Sequence, residues 1–114
     1  MTRTPHRPRA LYALTNHAVQ RYNYRIGSAE RACIYNELMR AVKVEPKLLA
    51  HFVSLTDTTL KNRQFLVTPK AIFVMRGEHL ILTVVPFPAD RWDDLVTSLI
   101  LRAAGFPLVW IKEA

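Results

Sequence analysis

Between residues 15 and 27 the apolar positions recur at helical spacing. At ~100° per residue, Ala18, Val19, Tyr22 and Ile26 point one way, and His17, Arg21, Tyr24 and Arg25 cluster on the opposite side. Thr15 or Asn16 suits the N-cap, and Gly27 suits the position just past the C-terminus, so a first helix is predicted between them. Ser28 is expected to cap a second helix from Ala29 to about Val42, with Ala32, Tyr35, Leu38, Met39 and Val42 on its core side. Pro46 suits the first turn of a third, running to about Val53 with Leu48, Leu49, Phe52 and Val53 apolar.

Residues 54–63 are polar and read as a loop. The pattern then changes to period two. Gln64 to Thr68, Ala71 to Arg76 and His79 to Val85 are rich in β-branched and aromatic residues and are predicted strands. Gly77 is expected to open a two-residue type II′ turn between the last two. Leu80 to Val85 is apolar on both faces and predicts an inner strand. Asp90 is expected to cap a fourth helix, Arg91 to Ala104, closed by Gly105 and burying Trp92, Leu95, Val96, Leu99, Ile100 and Ala103. Residues 107–112 predict a short final strand. The order implies an α+β domain: N-terminal helices packed on an antiparallel sheet of about four strands, with a C-terminal helix before the last strand.

The 114 residues suit one domain, divided here into a basic arm over 1–12 and a single α+β domain over 13–114. The arm holds Arg3, Arg7 and Arg9 between prolines. It reads either as a frayed terminus or as a segment that follows a phosphate backbone. A net charge of +7 favours an anionic partner, with nucleic acid first among them. The single cysteine, Cys33, excludes an internal disulfide and is expected to be a small buried residue. No apolar run approaches the ~20 residues of a membrane span, and no signal segment follows the basic start. A cytoplasmic protein without membrane contact is expected.

Candidate chemistry narrows by elimination. The four histidines show no ligand spacing, so no metal site is expected, and three scattered glycines form no phosphate loop; no cofactor is implied. His51 is expected to be a partly buried helix residue and His79 to end a hairpin. What is left is the first helix. RNA cleavage needs a proton acceptor, a proton donor and cations on the phosphate. Histidine can serve either proton-transfer role, and arginine binds phosphate oxygens in pairs. His17 with Arg21 and Arg25 therefore reads as a metal-free ribonuclease half-site or, more plainly, as a solvated basic face. Thr83, a hydroxyl within an apolar strand, needs a partner if buried and is a candidate to meet a site residue or ligand.

The run His17-Ala18-x-x-Arg21-x-x-x-Arg25 on an opening helix, followed by a second helix and a meander ending Leu82-Thr83-Val84-Val85, resembles the barnase/EndoU/colicin/RelE-type ribonuclease toxin metafold. More narrowly, it is similar to small bacterial and phage domains of unknown function that open on such a helix. The resemblance implies a metal-independent ribonuclease or toxin-like RNA-cleaving domain. His17 would be base or acid, Arg21 and Arg25 would hold the scissile phosphate, and Thr83 would position the substrate. Lys70 and Arg76 would extend the RNA-binding surface, and an acidic antitoxin or immunity protein would cover the cleft. The alternative is a non-enzymatic protein of a phage or mobile element that uses the same scaffold to bind and inhibit a host protein or nucleic acid.

Overall fold

A computed structural model describes residues 12–55 and 63–105. The arm with Arg3, Arg7 and Arg9 and the strand expected over 107–112 lie outside the described residues. In chain order the elements are β1 (Ala13–Leu14), α1 (Asn16–Arg25), α2 (Arg31–Leu38), β2 (Val42–Val44), α3 (Pro46–Leu49), β3 (Arg63–Val67), β4 (Ala71–Arg76) and β5 (Leu80–Pro86). A 3-10 turn over Ala89–Arg91 then leads into α4 (Trp92–Ala103). The strands form one five-stranded sheet in the order β1-β5-β4-β3-β2. This is an α+β domain with a mixed sheet, because β1 runs parallel to β5 while the other neighbours are antiparallel. Among the described residues α4 follows the last strand, and no helix is long and apolar enough to cross a membrane.

Helices cover both faces of the sheet. On one face Ala18 and Tyr22 of α1 and Ile34 and Leu38 of α2 pack on Leu66, Ala71, Phe73, Met75, Ile81 and Val84. On the other, Leu48 and Leu49 of α3, Phe52 and Leu95 of α4 pack on Phe65, Val67, Ile72, Val74 and Phe87. Strands β3 and β4 alternate strictly between the two clusters, as the pleat requires. β4 is the central strand, with Ala71 to Met75 all buried. As expected, Leu80 to Val85 is also an inner strand: β5 lies between β4 and β1, with Ile81 and Val84 in one cluster and Val85 against the other. β5 lies one place further out, flanked by β1 only at Leu80 and Ile81.

β5 departs from strict alternation. Ile81 pairs with Met75 but Thr83 pairs with Val74, so Leu82 is an extra residue in a β-bulge. The bulge lets Ile81 and Val84, three apart, share the α1 face. It also turns Thr83 to the face of its partner Val74, under α3 and α4.

Several local expectations are corrected. α2 starts at Arg31 rather than Ala29, because Asn23 Oδ1 accepts the Ala29 N–H at 2.8 Å and holds the connection outside the helix. It ends at Leu38, and Val42 to Val44 pair with β3 instead. Its buried side is Ile34 and Leu38, which leaves Ala32 and Cys33 exposed. α3 is one turn long, so His51 falls in the following turn and is exposed. Arg76 pairs with Leu80 across a three-residue connection, in place of the two-residue II′ turn; Gly77 takes φ +66 there. α4 is capped by Arg91, not Asp90. It buries Leu95 and Ser98, while Ile100 is 63% exposed and Ala103 is exposed.

α1 is fixed at both ends. The Thr15 hydroxyl accepts the Ala18 N–H at 3.0 Å as N-cap and donates to the Ile81 carbonyl at 2.9 Å. At the other end Arg25 Nη1 donates to the Val84 carbonyl at 3.0 Å. Thr15→Ala removes a cap and an edge hydrogen bond together. It is expected to lower stability by about 1–2 kcal/mol, with Thr15→Ser close to wild type, as read from urea midpoints.

Candidate functional site

The outer face of α1 is set by how its inner face is used. With Ala18 and Tyr22 buried against the sheet, helical spacing sends His17, Gln20, Arg21 and Tyr24 outward. Tyr24 is 83% exposed, and α1 contains no acidic residue. Arg21 Nε donates to His17 Nε2 at 3.3 Å, so one guanidinium and one imidazole form a unit one turn apart. Arg25 sits at the flank of this face, which is why its guanidinium reaches the β5 edge. That contact uses one of five N–H donors and leaves the others for solvent or a ligand.

The four residues expected to share a cleft are not brought to one point. His17 and Arg21 meet; Arg25 holds the sheet edge; Thr83 lies on the opposite face of the sheet, under α3 and α4. Lys70 and Arg76 are both exposed but flank opposite ends of β4, about 20 Å apart at ~3.3 Å per residue. They do not form one surface. His79 is at the β4–β5 connection, where its carbonyl accepts the Ala13 N–H at 2.7 Å. Among the described residues no group of three or more His, Cys, Asp or Glu is placed to hold a metal ion.

A second polar cluster lies on the far side of α1, and the residue pattern did not single it out. Glu37 of α2 has a side chain only 14% exposed. Its Oε1 accepts a hydrogen bond from the Tyr22 hydroxyl, and its Oε2 accepts one from Thr68 Oγ1 at 2.5 Å. Thr68 Oγ1 itself accepts the Ala71 N–H at 3.0 Å and the Lys70 N–H at 3.3 Å. Its own proton has Glu37 as the nearer acceptor, with the Ala71 carbonyl at 3.4 Å. Lys70 Nζ stands 3.8 Å from Glu37 Oε1. The cluster therefore joins α1, α2 and the β3–β4 turn.

Beside this cluster opens a cleft of about 660 Å³, between the end of α1, α2 and the β3–β4 turn. Its wall includes Ile26, Ala29 and Cys33, with Glu37, Arg40 and Lys70 as charged groups. Comparison with family models, curated proteins and solved structures finds no match. The signal for Glu37 was present in the residues: it flanks the Ile34/Leu38 stripe of α2, where an acidic side chain needs partners. The expected stripe, which took in Ala32 and left out Ile34, hid it.

Burial first, and then the hydrogen bond to Glu37 and its charge, push the Tyr22 hydroxyl well above the ordinary tyrosine range. A folded-state value raised above the unfolded one gives stability that is present below about pH 10 and lost as pH rises beyond it. Tyr22→Phe removes that dependence, so its stability curve against pH is expected to be flatter between about pH 9 and pH 11 than that of wild type. At neutral pH the variant is expected to be about 1–2 kcal/mol less stable, because Glu37 loses a buried donor. Denaturant midpoints across this range check both.

Proposed function

We propose that the protein binds single-stranded RNA through the outer face of α1. Tyr24 carries the reading: a tyrosine 83% exposed, on a helix face with His17 and Arg21 and with Arg25 at its flank. A phenol ring held out in water among cations offers a base a stacking surface while the cations meet the flanking phosphates. Such stacking tolerates any base, and phosphate contacts carry no sequence information, so binding on this face is broad in sequence. The net charge of +7 adds attraction at longer range.

The His17–Arg21 contact favours a second reading on the same face, metal-independent RNA cleavage. In it His17 takes the 2′-hydroxyl proton as that oxygen bonds to phosphorus, the P–O5′ bond breaks, water protonates the departing 5′-oxygen, and Arg21 holds the phosphate. This is the activity implied by the likeness of the His-Ala-x-x-Arg-x-x-x-Arg helix to ribonuclease toxins. The Nε2 atom of His17 faces Arg21, so cleavage requires that contact to open when RNA enters.

Fluorescence anisotropy with a labelled RNA strand tests binding. The affinity should fall with salt at a log–log slope of about −0.7 per phosphate contact, and Arg21→Ala should remove about 0.7 from that slope. Tyr24→Ala is expected to weaken binding by about 1–3 kcal/mol without changing stability. Salt-independent binding, or a Tyr24→Ala variant that binds like wild type, overturns the reading. Incubation of RNA with wild type and His17→Ala in chelator separates the two readings. Cleavage by wild type alone supports catalysis, and intact RNA with both leaves binding as the function.

A further inference from the structure

The cleft beside Glu37 has a size and a charge arrangement that the α1 surface does not use. At about 660 Å³ it falls in the range of small-molecule sites and exceeds what a single ion or a short side chain fills. Ile26, Ala29 and Pro69 supply apolar wall. Glu37 supplies a largely buried carboxylate that lines the cleft. A carboxylate offers about four acceptor positions, and the hydroxyls of Tyr22 and Thr68 use two of them. Lys70 Nζ, at 3.8 Å, is beyond hydrogen-bond distance and takes none. Glu37 thus keeps acceptor capacity for donors that enter the cleft. Lys70 and Arg40, both exposed, add two cations to the same cleft. A ligand that fits all three features has a flat apolar body, paired N–H donors and an anionic group.

We propose that this cleft binds a single nucleotide, its base against Ile26, Ala29 and Pro69, its N–H edge on Glu37 and its phosphate on Arg40 and on Lys70, whose exposed side chain turns away from Glu37 to meet it. The carboxylate selects the base. Guanine offers a ring N–H beside an exocyclic amine, two adjacent donors for two adjacent oxygens. Adenine sets a ring acceptor beside its amine, and that lone pair would face the carboxylate. Guanine nucleotides are therefore preferred. The site is independent of the α1 face, because His17, Arg21 and Tyr24 do not line it.

Calorimetric titration of the full chain with GMP, AMP, guanosine and inorganic phosphate tests this. GMP should bind saturably, with AMP and guanosine each weaker by about tenfold or more. Glu37→Gln exchanges an acceptor oxygen for a donor and should abolish the preference for GMP over AMP. Lys70→Ala and Arg40→Ala change exposed residues, so they test the site even if Glu37→Gln fails to fold; each should weaken GMP and leave guanosine unchanged. Absence of GMP binding, equal binding of GMP and AMP, or phosphate alone binding as tightly as GMP overturns the proposal. Arg21→Ala and Tyr24→Ala should bind GMP like wild type, which separates failure of this site from failure of the RNA surface. Displacement of labelled RNA by GMP would identify the occupant as a nucleotide of a strand, and retention of the RNA would identify it as a free nucleotide.

Discussion

A sheet edge exposes carbonyls that must find donors, and in this protein the requirement falls on β5. β1 covers that edge for only two residues, Leu80 and Ile81. The two ends of α1 supply further donors: the Thr15 cap hydroxyl donates to the Ile81 carbonyl and Arg25 donates to the Val84 carbonyl. Burial of Ala18 and Tyr22 between these two ends fixes the helix in rotation. Once its rotation is fixed, Tyr24 has nowhere to go but solvent. The exposed basic and aromatic face is thus a consequence of satisfying a strand edge, the general problem of exposed strands that proteins solve by covering them.

Glu37 is the second fixed point. Charged carboxylates are rarely buried without partners, and this one gathers a hydroxyl from α1 and another from the β3–β4 turn. Thr68 is committed in turn by two backbone N–H groups, and of the two acceptors its proton can reach, Glu37 is the nearer and the Ala71 carbonyl the farther. The cluster clamps the end of α1 to the sheet, and the cleft lies beside it. A polar network of this kind specifies one arrangement of three elements, where apolar packing alone would tolerate small shifts. The two candidate surfaces therefore share a helix but not a face: Tyr24 and Arg21 point out from α1, while Tyr22 and Ile26 point toward the cleft.

Much of this was legible in the residues. An N-cap at Thr15 or Asn16, β4 over Ala71–Arg76, the outward side of α1 and Gly105 closing α4 follow from helical and period-two spacing and from cap chemistry, whereas Gly27 does not take the positive φ its place after α1 allows. Spacing of that kind is local, and a local rule survives in any fold that buries the apolar side. The misreadings have a common origin. Val42 closes a helical pattern as easily as it opens a strand, and only the exposed edge of β3 decides. Tyr35 and Leu38 of the expected stripe do meet the core, but Ala32 continues that stripe as regularly as Ile34, and only the position of α2 on the sheet chooses between those two.

Thr83 shows the division most sharply. Its place in an apolar strand can be read from the chain, and strict alternation would put it on the same side as Ile81, beneath α1. The bulge at Leu82 reverses that. A bulge arises where two strands of fixed twist must both satisfy their cores, and nothing within Leu80 to Pro86 encodes it. Glu37, Thr68 and Tyr22 are likewise far apart in sequence and ordinary one by one; their meeting exists only because α1 and α2 close over β4. An α+β domain and a helix with a basic outer side follow from spacing along the chain, because apolar periodicity is a local property. Which groups face one another was decided by tertiary structure, because sheet register and helix rotation are set by contacts between residues distant in the chain.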